Sequence, residues 1–150
     1  MSLVIRQAEE ADLPSILALY AQPDFDNGKV LPIEEARRVF RRFADYPDYR
    51  LFIAEDGDSV VGCYSLITFE NLSHLGARSA LIESVAVSPD HQRNGVGKAM
   101  MDHALAEARA RGCYKAALSS NMKREKAHAF YDRLGFERHG YSFLMPLEDA

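Results

Sequence analysis

The chain alternates between short apolar runs and longer segments in which apolar residues recur every three or four positions. Short runs bounded by turn formers are typical of strands, whereas the longer spacing is typical of helices. Strands are predicted at residues 3–7, 51–54, 60–69, 81–87 and 114–119, with one or two more in 136–147. Helices are predicted to open at Asp12 and to cover residues 32–46, about 94–111, and 127–134. The chain is therefore an α/β protein.

Turn formers add two local expectations. Asp56, Gly57 and Asp58 separate two strand-like runs, which predicts an antiparallel pair joined at this turn. Gly135 follows the last helical pattern and is a residue that commonly ends helices.

Length and composition indicate a single folded domain over residues 1–150, without a linker, repeat or low-complexity segment. Hydrophobic residues make up 47% and charged residues 27%, as in ordinary soluble globular proteins. The net charge of −4 argues against nucleic acid as a partner, because phosphate binding needs a basic face.

Cysteine usage and the N-terminus favour a cytoplasmic protein. Cys63 and Cys113 are too few for a disulfide framework or a zinc site, and a reduced compartment suits them. The first residues lack a signal-peptide pattern, and no apolar stretch is long enough to cross a membrane. The five histidines have no ligand spacing, so no metal is expected.

The most informative segment follows the strand at 81–87 and opens the long helix. It reads Gln92, Arg93, Asn94, Gly95, Val96, Gly97, Lys98 and Ala99. A glycine-bearing turn between a strand and a helix directs backbone N–H groups at the positive helix end, which binds phosphate. A Walker loop would need Ser or Thr at Ala99, and a dinucleotide fingerprint would need glycine at Met100. Both are excluded.

The remaining Q-x-x-G-x-G pattern resembles the pyrophosphate loop of the GNAT acetyltransferases. The resemblance extends to residues 85–91 before the loop, to 5–8 with Asp12, and to an A-x-x-F-Y-x-x-x-G-F pattern at 127–136. It implies a GNAT fold, in which helices flank a mixed, mostly antiparallel sheet and the central strand splays from its neighbour at the acetyl-CoA site. It also implies acetyl-CoA as co-substrate and a small-molecule amine as acceptor.

The resemblance also assigns the coenzyme contacts. Backbone amides of residues 93–97, with the helix start at Lys98 and Ala99, would cradle the pyrophosphate. The unpaired main chain of Val85, Ala86 and Val87 would bind the pantetheine arm and the acetyl oxygen. Asn121, in the turn before the last helix, matches a position that often binds the pantetheine arm.

Two side chains are candidates for proton transfer. Strand alternation puts Glu83 on the face of Leu81, Val85 and Val87, where a carboxylate must meet a cleft or a buried cation. It is either the base that deprotonates an ammonium substrate, as in many GNAT enzymes, or a structural or substrate-binding group. Tyr131 matches the tyrosine beside the coenzyme sulfur and is either the general acid or a core residue.

The acceptor remains open at this level. Segments 25–31 and 71–78 match the family's acceptor-binding regions. Ile82, Glu83 and residues 112–115 resemble glucosamine-6-phosphate N-acetyltransferases, although Ser84 and Ser119-Ser120 depart from that pattern. A non-catalytic acetyl-CoA-binding regulatory module is a further alternative, and a homodimer is left open.

Overall fold

The computed structural model describes residues 2–148, which form two compact units divided after Leu118. The strands are β1 (Leu3–Gln7), β2 (Tyr49–Asp56), β3 (Ser59–Phe69), β4 (Arg78–Val87) and β5 (Cys113–Ala117). The helices are α1 (Leu13–Tyr20), α2 (Ile33–Arg42), α3 (Val96–Ala110) and, in the second unit, α4 (Glu125–Arg133). The single domain over 1–150 stays a prediction, and residues 1, 149 and 150 lie outside the described part.

The strands form one sheet in the order β1-β2-β3-β4-β5. The first four are mutually antiparallel, and β5 runs parallel to β4. Pairing between β4 and β5 ends at Leu81 and Ala117, so residues 82–87 of β4 have no β5 partner. The predicted mostly antiparallel sheet with a splayed central strand is confirmed.

Helices cover both faces of this sheet. α1 and α2 pack on a core that includes Leu51, Ile53 and Cys63. Alternation turns Phe52 and Tyr64 to the opposite face, where both rings contact His103 of α3, with centroids 4.9 and 6.1 Å away. α3 therefore packs on the face of the sheet opposite to α1 and α2.

Gly62 lets α3 lie close to the sheet near its first turn. A Cβ at this position would lie 2.9 Å from Met100 Sδ and 3.0 Å from Val96 Cγ1. Both of those α3 residues are fully buried. A larger side chain at Gly62 would push the start of α3 outward, because the close-packed core has no free volume to absorb it.

A polar network fixes the other end of α3. Tyr64 Oη and His103 Nδ1 are 2.7 Å apart, and Arg111 binds Glu107 as well as Asp48, whose Oδ2 is 3.2 Å from Arg111 Nε. The Arg111 guanidinium lowers the pKa of Glu107, and burial lowers the pKa of His103. Both shifts favour the unprotonated side chains in the folded state.

The helix predicted to open at Asp12 is confirmed, because α1 begins at the next residue, Leu13. Asp12 precedes α1 without capping it. Its Oδ2 instead accepts from the Glu9 amide at 2.7 Å and from Arg6 at 2.8 Å.

The strands predicted within residues 136–147 are wrong, because the structure assigns that segment no strand. Its apolar side chains are between 79% and 93% exposed at Tyr141, Phe143, Leu144, Met145 and Leu147. Alternating apolar residues favour a strand only where a partner strand accepts their backbone hydrogen bonds. None of the described helices is long and apolar enough to cross a membrane.

Candidate functional site

The segment between β4 and α3 forms a compact turn. One turn of 3₁₀ helix (Pro89–His91) leads into it, and Gly95 ends it with φ of +79°, in the left-handed region. Glycine adopts this conformation without strain, whereas Gly97 lies inside the first helical turn. A Cβ at Gly95 would meet nothing within 4 Å, so the space above the turn is open.

The first amides of α3 are free to bind a ligand. The first intrahelical bond runs from the Ala99 N–H to the Gly95 carbonyl at 3.0 Å, and Gly95 provides no side-chain cap. The N–H groups of Val96, Gly97 and Lys98 therefore lack intrahelical acceptors. They lie at the positive end of a 15-residue helix, which suits a pyrophosphate.

Two cations flank these amides. Arg93 and Lys98 are exposed, and Lys98 Nζ lies 2.7 Å from Asp102 Oδ2 one turn along α3. This contact holds the Lys98 side chain along the helix surface. Both residues place positive charge beside the turn, which adds to the field of the helix end.

The end of β4 has an open edge on the side away from β3. The Ser88 amide donates to the Val61 carbonyl at 2.8 Å, so alternation turns the amides of Val87 and Val85 away from β3. β5 does not reach this part of β4, so those two amides face the splay. Ala86 differs, because it pairs with Cys63 and its amide faces β3.

Gln22 is a residue of this region that the sequence did not single out. Its Nε2 donates to the Val87 carbonyl at 2.9 Å and to the Leu19 carbonyl at 3.0 Å. Gln92 Nε2 lies 3.4 Å from both the Val87 carbonyl and Gln22 Oε1. The two glutamines join the end of α1, the end of β4 and the turn, and no local pattern distinguishes Gln22 from other polar loop residues.

Glu83 is placed differently from the expectation. Ser84 has a φ of +53° and bulges, so that Ser65 pairs with Glu83 while Cys63 pairs with Ala86. Two β4 residues then oppose one β3 residue, which is a β-bulge that shifts the alternation by one position. Ala86, rather than Val85 or Val87, shares the face of Glu83. The predicted face shared with Val85 and Val87 is therefore wrong, and the Glu83 side chain is exposed.

A cavity of about 280 Å³ opens beside this bulge, between the sheet, α1, α2 and the loop that joins them. Ser65 and Ser84 line it from the sheet. The loop contributes Phe25, Asp26, Lys29, Val30 and Leu31, and the helices contribute Leu13, Ile16, Leu17, Tyr20, Ala36, Val39 and Phe40. The predicted segment 25–31 therefore borders a cavity, whereas the segment 71–78 does not contribute to its lining.

Tyr20 forms the wall next to the bulge. Its hydroxyl lies 3.5 Å from the Ser84 carbonyl, and its ring packs 5.4 Å from that of Phe25. Burial raises the pKa of Tyr20 and raises the pKa of Cys63, its neighbour, to about 12. Both groups are therefore neutral near pH 7, and this wall carries no charge.

The second unit contains the remaining two candidates. Tyr131 lies on α4, between the rings of Phe130 and Phe136 at 5.2 and 5.6 Å, and burial raises the pKa of its phenol. Asn121 lies in the turn before α4, as predicted, where its Oδ1 accepts from the Lys123 amide at 2.9 Å.

His128 also belongs to the second unit, one turn before Tyr131 on α4. Its Nε2 is 2.8 Å from the Asn121 carbonyl, so it holds the turn against the helix. Among residues 2–148, no group of three or more His, Cys, Asp or Glu side chains is placed to hold a metal ion.

Comparison with known proteins gives consistent matches. A model of the Acetyltransferase (GNAT) family matches residues 8–136. The glucosamine 6-phosphate N-acetyltransferase of Trypanosoma brucei brucei is 31% identical in an alignment of 147 positions, which covers 93% of this chain and 92% of that protein.

Two solved structures superpose with a TM-score of 0.87. One is a putative acetyltransferase from Agrobacterium tumefaciens C58, 28% identical over 95% of this chain and 99% of that one. The other is a transcriptional regulator from Bacillus halodurans C-125, 26% identical over 97% of this chain and 100% of that one.

Proposed function

Because this chain belongs to the GNAT acetyltransferase family and is an N-acetyltransferase with acetyl-CoA as donor, we propose that it acetylates a small primary amine by direct attack in a ternary complex. The observation that carries this proposal is that the open edge of β4 is followed along the chain by the uncapped start of α3. The β4 edge offers amides to the pantetheine arm and the acetyl oxygen. The start of α3 offers amides to the pyrophosphate.

The residues present fit the co-substrate at both places. The amides of Val96, Gly97 and Lys98 bind the pyrophosphate, with Arg93 and Lys98 adding charge. Gly95 lets the pyrophosphate approach the turn, because a side chain at this position would occupy the open space above the turn. The acetyl thioester supplies an activated carbonyl carbon.

The splayed end of β4 polarises that carbonyl. The amides of Val85 and Val87 face the splay, and an N–H directed at an acyl oxygen stabilises the negative charge that develops there. Gln22 helps hold the strand end in place through its bond to the Val87 carbonyl. Ala86 supports this arrangement by pairing with Cys63.

Two protons must move for the transfer to balance. The acceptor arrives as an ammonium ion, and Glu83 accepts its proton directly or through water, because only a neutral amine attacks. As the new carbon–nitrogen bond forms and the carbon–sulfur bond breaks, Tyr131 donates a proton to the departing sulfur. The second proton, which the nitrogen loses when it becomes the amide, passes through solvent and restores the Tyr131 hydroxyl. Asn121 binds the pantetheine arm. Glu83 is exposed to solvent and precedes Ser84, which lines the cavity. In this proposal the base is therefore a solvated carboxylate beside the cavity.

Two alternatives each have an observation in their favour. The relative from Trypanosoma brucei brucei favours an amino-sugar phosphate as acceptor. The similar structure of a transcriptional regulator favours a module that binds acetyl-CoA without turnover. That two copies associate as a homodimer stays a prediction.

Thermal unfolding with acetyl-CoA, followed by a thiol-release assay over a panel of amines, separates these functions. We expect a ligand-dependent rise in the unfolding temperature and amine-dependent release of free coenzyme thiol. Turnover confined to glucosamine 6-phosphate would favour the first alternative. A thermal shift without turnover on any amine would favour the regulatory module, and no shift at all would refute coenzyme binding.

A further inference from the structure

The cavity beside the Ser84 bulge has mostly apolar walls. Five aromatic rings line it, those of Tyr20, Phe25, Phe40, Phe43 and Tyr49. The rings of Phe43 and Tyr49 stack with centroids 4.3 Å apart, and aliphatic side chains of α1 and α2 fill the gaps between the aromatic groups. Such a surface gains free energy by burying hydrocarbon and has few polar atoms to offer a ligand.

Charges are sparse along this lining. Of the described residues that border the cavity, Asp26 and Lys29 are charged, and their formal charges cancel. Both belong to the exposed loop, whereas the sheet side offers the hydroxyls of Ser65 and Ser84, with Ser65 only 3% exposed. A phosphate dianion or several sugar hydroxyls would lose hydration here without enough partners to replace it.

Polar groups meet where the cavity borders the Ser84 bulge. Ser84 lies directly after Glu83 in β4, and its carbonyl lies 3.5 Å from the Tyr20 hydroxyl. A reacting amine beside this bulge finds acceptors and lies next to the residue assigned as base. The aromatic rings elsewhere in the lining, among them Phe40 and Phe43, suit a hydrocarbon group.

We propose that this cavity binds the acceptor, and that the acceptor is a primary amine with an uncharged apolar or aromatic tail. The inference rests on the proposed function and deepens it by naming the substrate class. The amine lies at the Ser84 end, and the tail lies between the aromatic walls. The volume of about 280 Å³ is close to the lower limit for pockets that enclose small organic ligands.

A series of straight-chain primary alkylamines, from propylamine to octylamine, tests this directly. With saturating acetyl-CoA, we expect kcat/KM to rise by about fourfold for each added methylene, the value for full burial of a CH₂ group, and to level off once the cavity is filled. The kcat/KM for 2-phenylethylamine should be roughly a hundredfold higher than that for glucosamine 6-phosphate or spermidine, because its ring buries as much hydrocarbon as several methylene groups.

Matched variants assign the effect to the cavity. Ala36→Met places a larger side chain in the cavity wall, and Ala18→Met makes the same change on the exposed side of α1. We expect kcat/KM to level off at a shorter alkylamine in Ala36→Met, because the added side chain takes up cavity volume. Ala18→Met should show the same dependence of kcat/KM on chain length as the unaltered protein. Val39→Met, at a half-buried wall position, is the second filling variant should Ala36→Met fold poorly.

The outcomes separate this inference from the proposed function. The apolar acceptor is overturned if kcat/KM does not rise along the alkylamine series, or if glucosamine 6-phosphate or spermidine is the preferred substrate. It is also overturned if Ala36→Met and Val39→Met both fold and both keep the original plateau. Turnover of a polar amine would still leave the N-acetyltransferase assignment intact. Absence of any turnover overturns the acceptor class, and if acetyl-CoA also fails to raise the unfolding temperature, the proposed function falls with it.

Discussion

Gln22 donates a hydrogen bond from Nε2 to the carbonyl oxygen of Val87 at 2.9 Å, which joins the end of α1 to the last residue of β4. The same amide also reaches the Leu19 carbonyl, so Gln22 bridges two carbonyls of different elements. Because Val87 is where β4 leaves the sheet, this bond orients the strand end whose amides face the splay. Gln22 is thus a positioning residue.

Gln22→Ala should lower both stability and coenzyme affinity. Loss of the bond leaves the Val87 carbonyl with the longer Gln92 contact, and we expect the free energy of unfolding to fall by about 1 kcal/mol. Urea unfolding and calorimetry with acetyl-CoA measure the two effects. Gln7→Ala, at an exposed β1 position, is the matched control. Equal acetyl-CoA affinity in both variants would remove Gln22 from the positioning role.

Gly97→Asp should abolish the acetyl-CoA-induced rise in unfolding temperature. The new carboxylate lies in the first turn of α3, where a negative charge suits the apo helix but repels a pyrophosphate. Thermal unfolding with and without ligand reports the difference. Gly140→Asp adds the same charge at a site where a Cβ meets nothing within 4 Å, and should keep the full shift. A full shift in Gly97→Asp would refute the loop assignment.

Glu83→Gln should slow turnover by roughly a hundredfold to ten-thousandfold, the usual contribution of a positioned base. The loss should be largest at low pH, because more of the amine then carries the proton that must be removed. Coenzyme affinity should change little. Rates measured across pH, with the exposed Glu137→Gln as control, decide the point, and a profile identical to that of the control would exclude Glu83 as the base.

Tyr131→Phe should reduce turnover by a similar factor at pH values below about 8.5, the ordinary pKa of a thiol. In that range the departing sulfur leaves as a thiol and needs a proton donor. Because burial raises the pKa of Tyr131 above its usual 10.0, its own deprotonation should not limit the rate below that pH. Tyr141→Phe, 90% exposed, is the control. Near-normal rates in a folded Tyr131→Phe protein would return Tyr131 to a packing role.

The polar network on α3 should make stability fall in acid. Arg111 lowers the pKa of Glu107 below its usual 4.5, so this contribution is present above that value and is lost as pH falls through the folded-state pKa. Glu107→Gln should be less stable at pH 7 yet lose less stability between pH 5 and about pH 3. Urea unfolding across that window, with Glu137→Gln as control, tests this, and parallel acid profiles in the two variants would contradict it.

Local sequence determined most of the element positions and the turn before α3. The spacing of apolar residues located β1, α2 and α3 to within a few residues, because helix and strand periods depend on neighbouring side chains. The left-handed Gly95 was also predictable, since glycine is the residue that adopts positive φ without strain. The family resemblance came from the same short-range patterns.

Which residues face one another around the site depends on long-range packing and strand pairing. The bulge at Ser84 reversed the expected side of Val85 and Val87 relative to Glu83, because strand alternation cannot reveal an extra residue that depends on pairing with β3. The predicted strand in 136–147 failed for a related reason, as a strand forms only where another backbone completes its hydrogen bonds. The Gln22–Val87 bond and the aromatic cavity likewise arise from residues distant in the chain. Their proximity follows from how α1 and α2 pack on the sheet, a long-range relation that local periodicity does not encode.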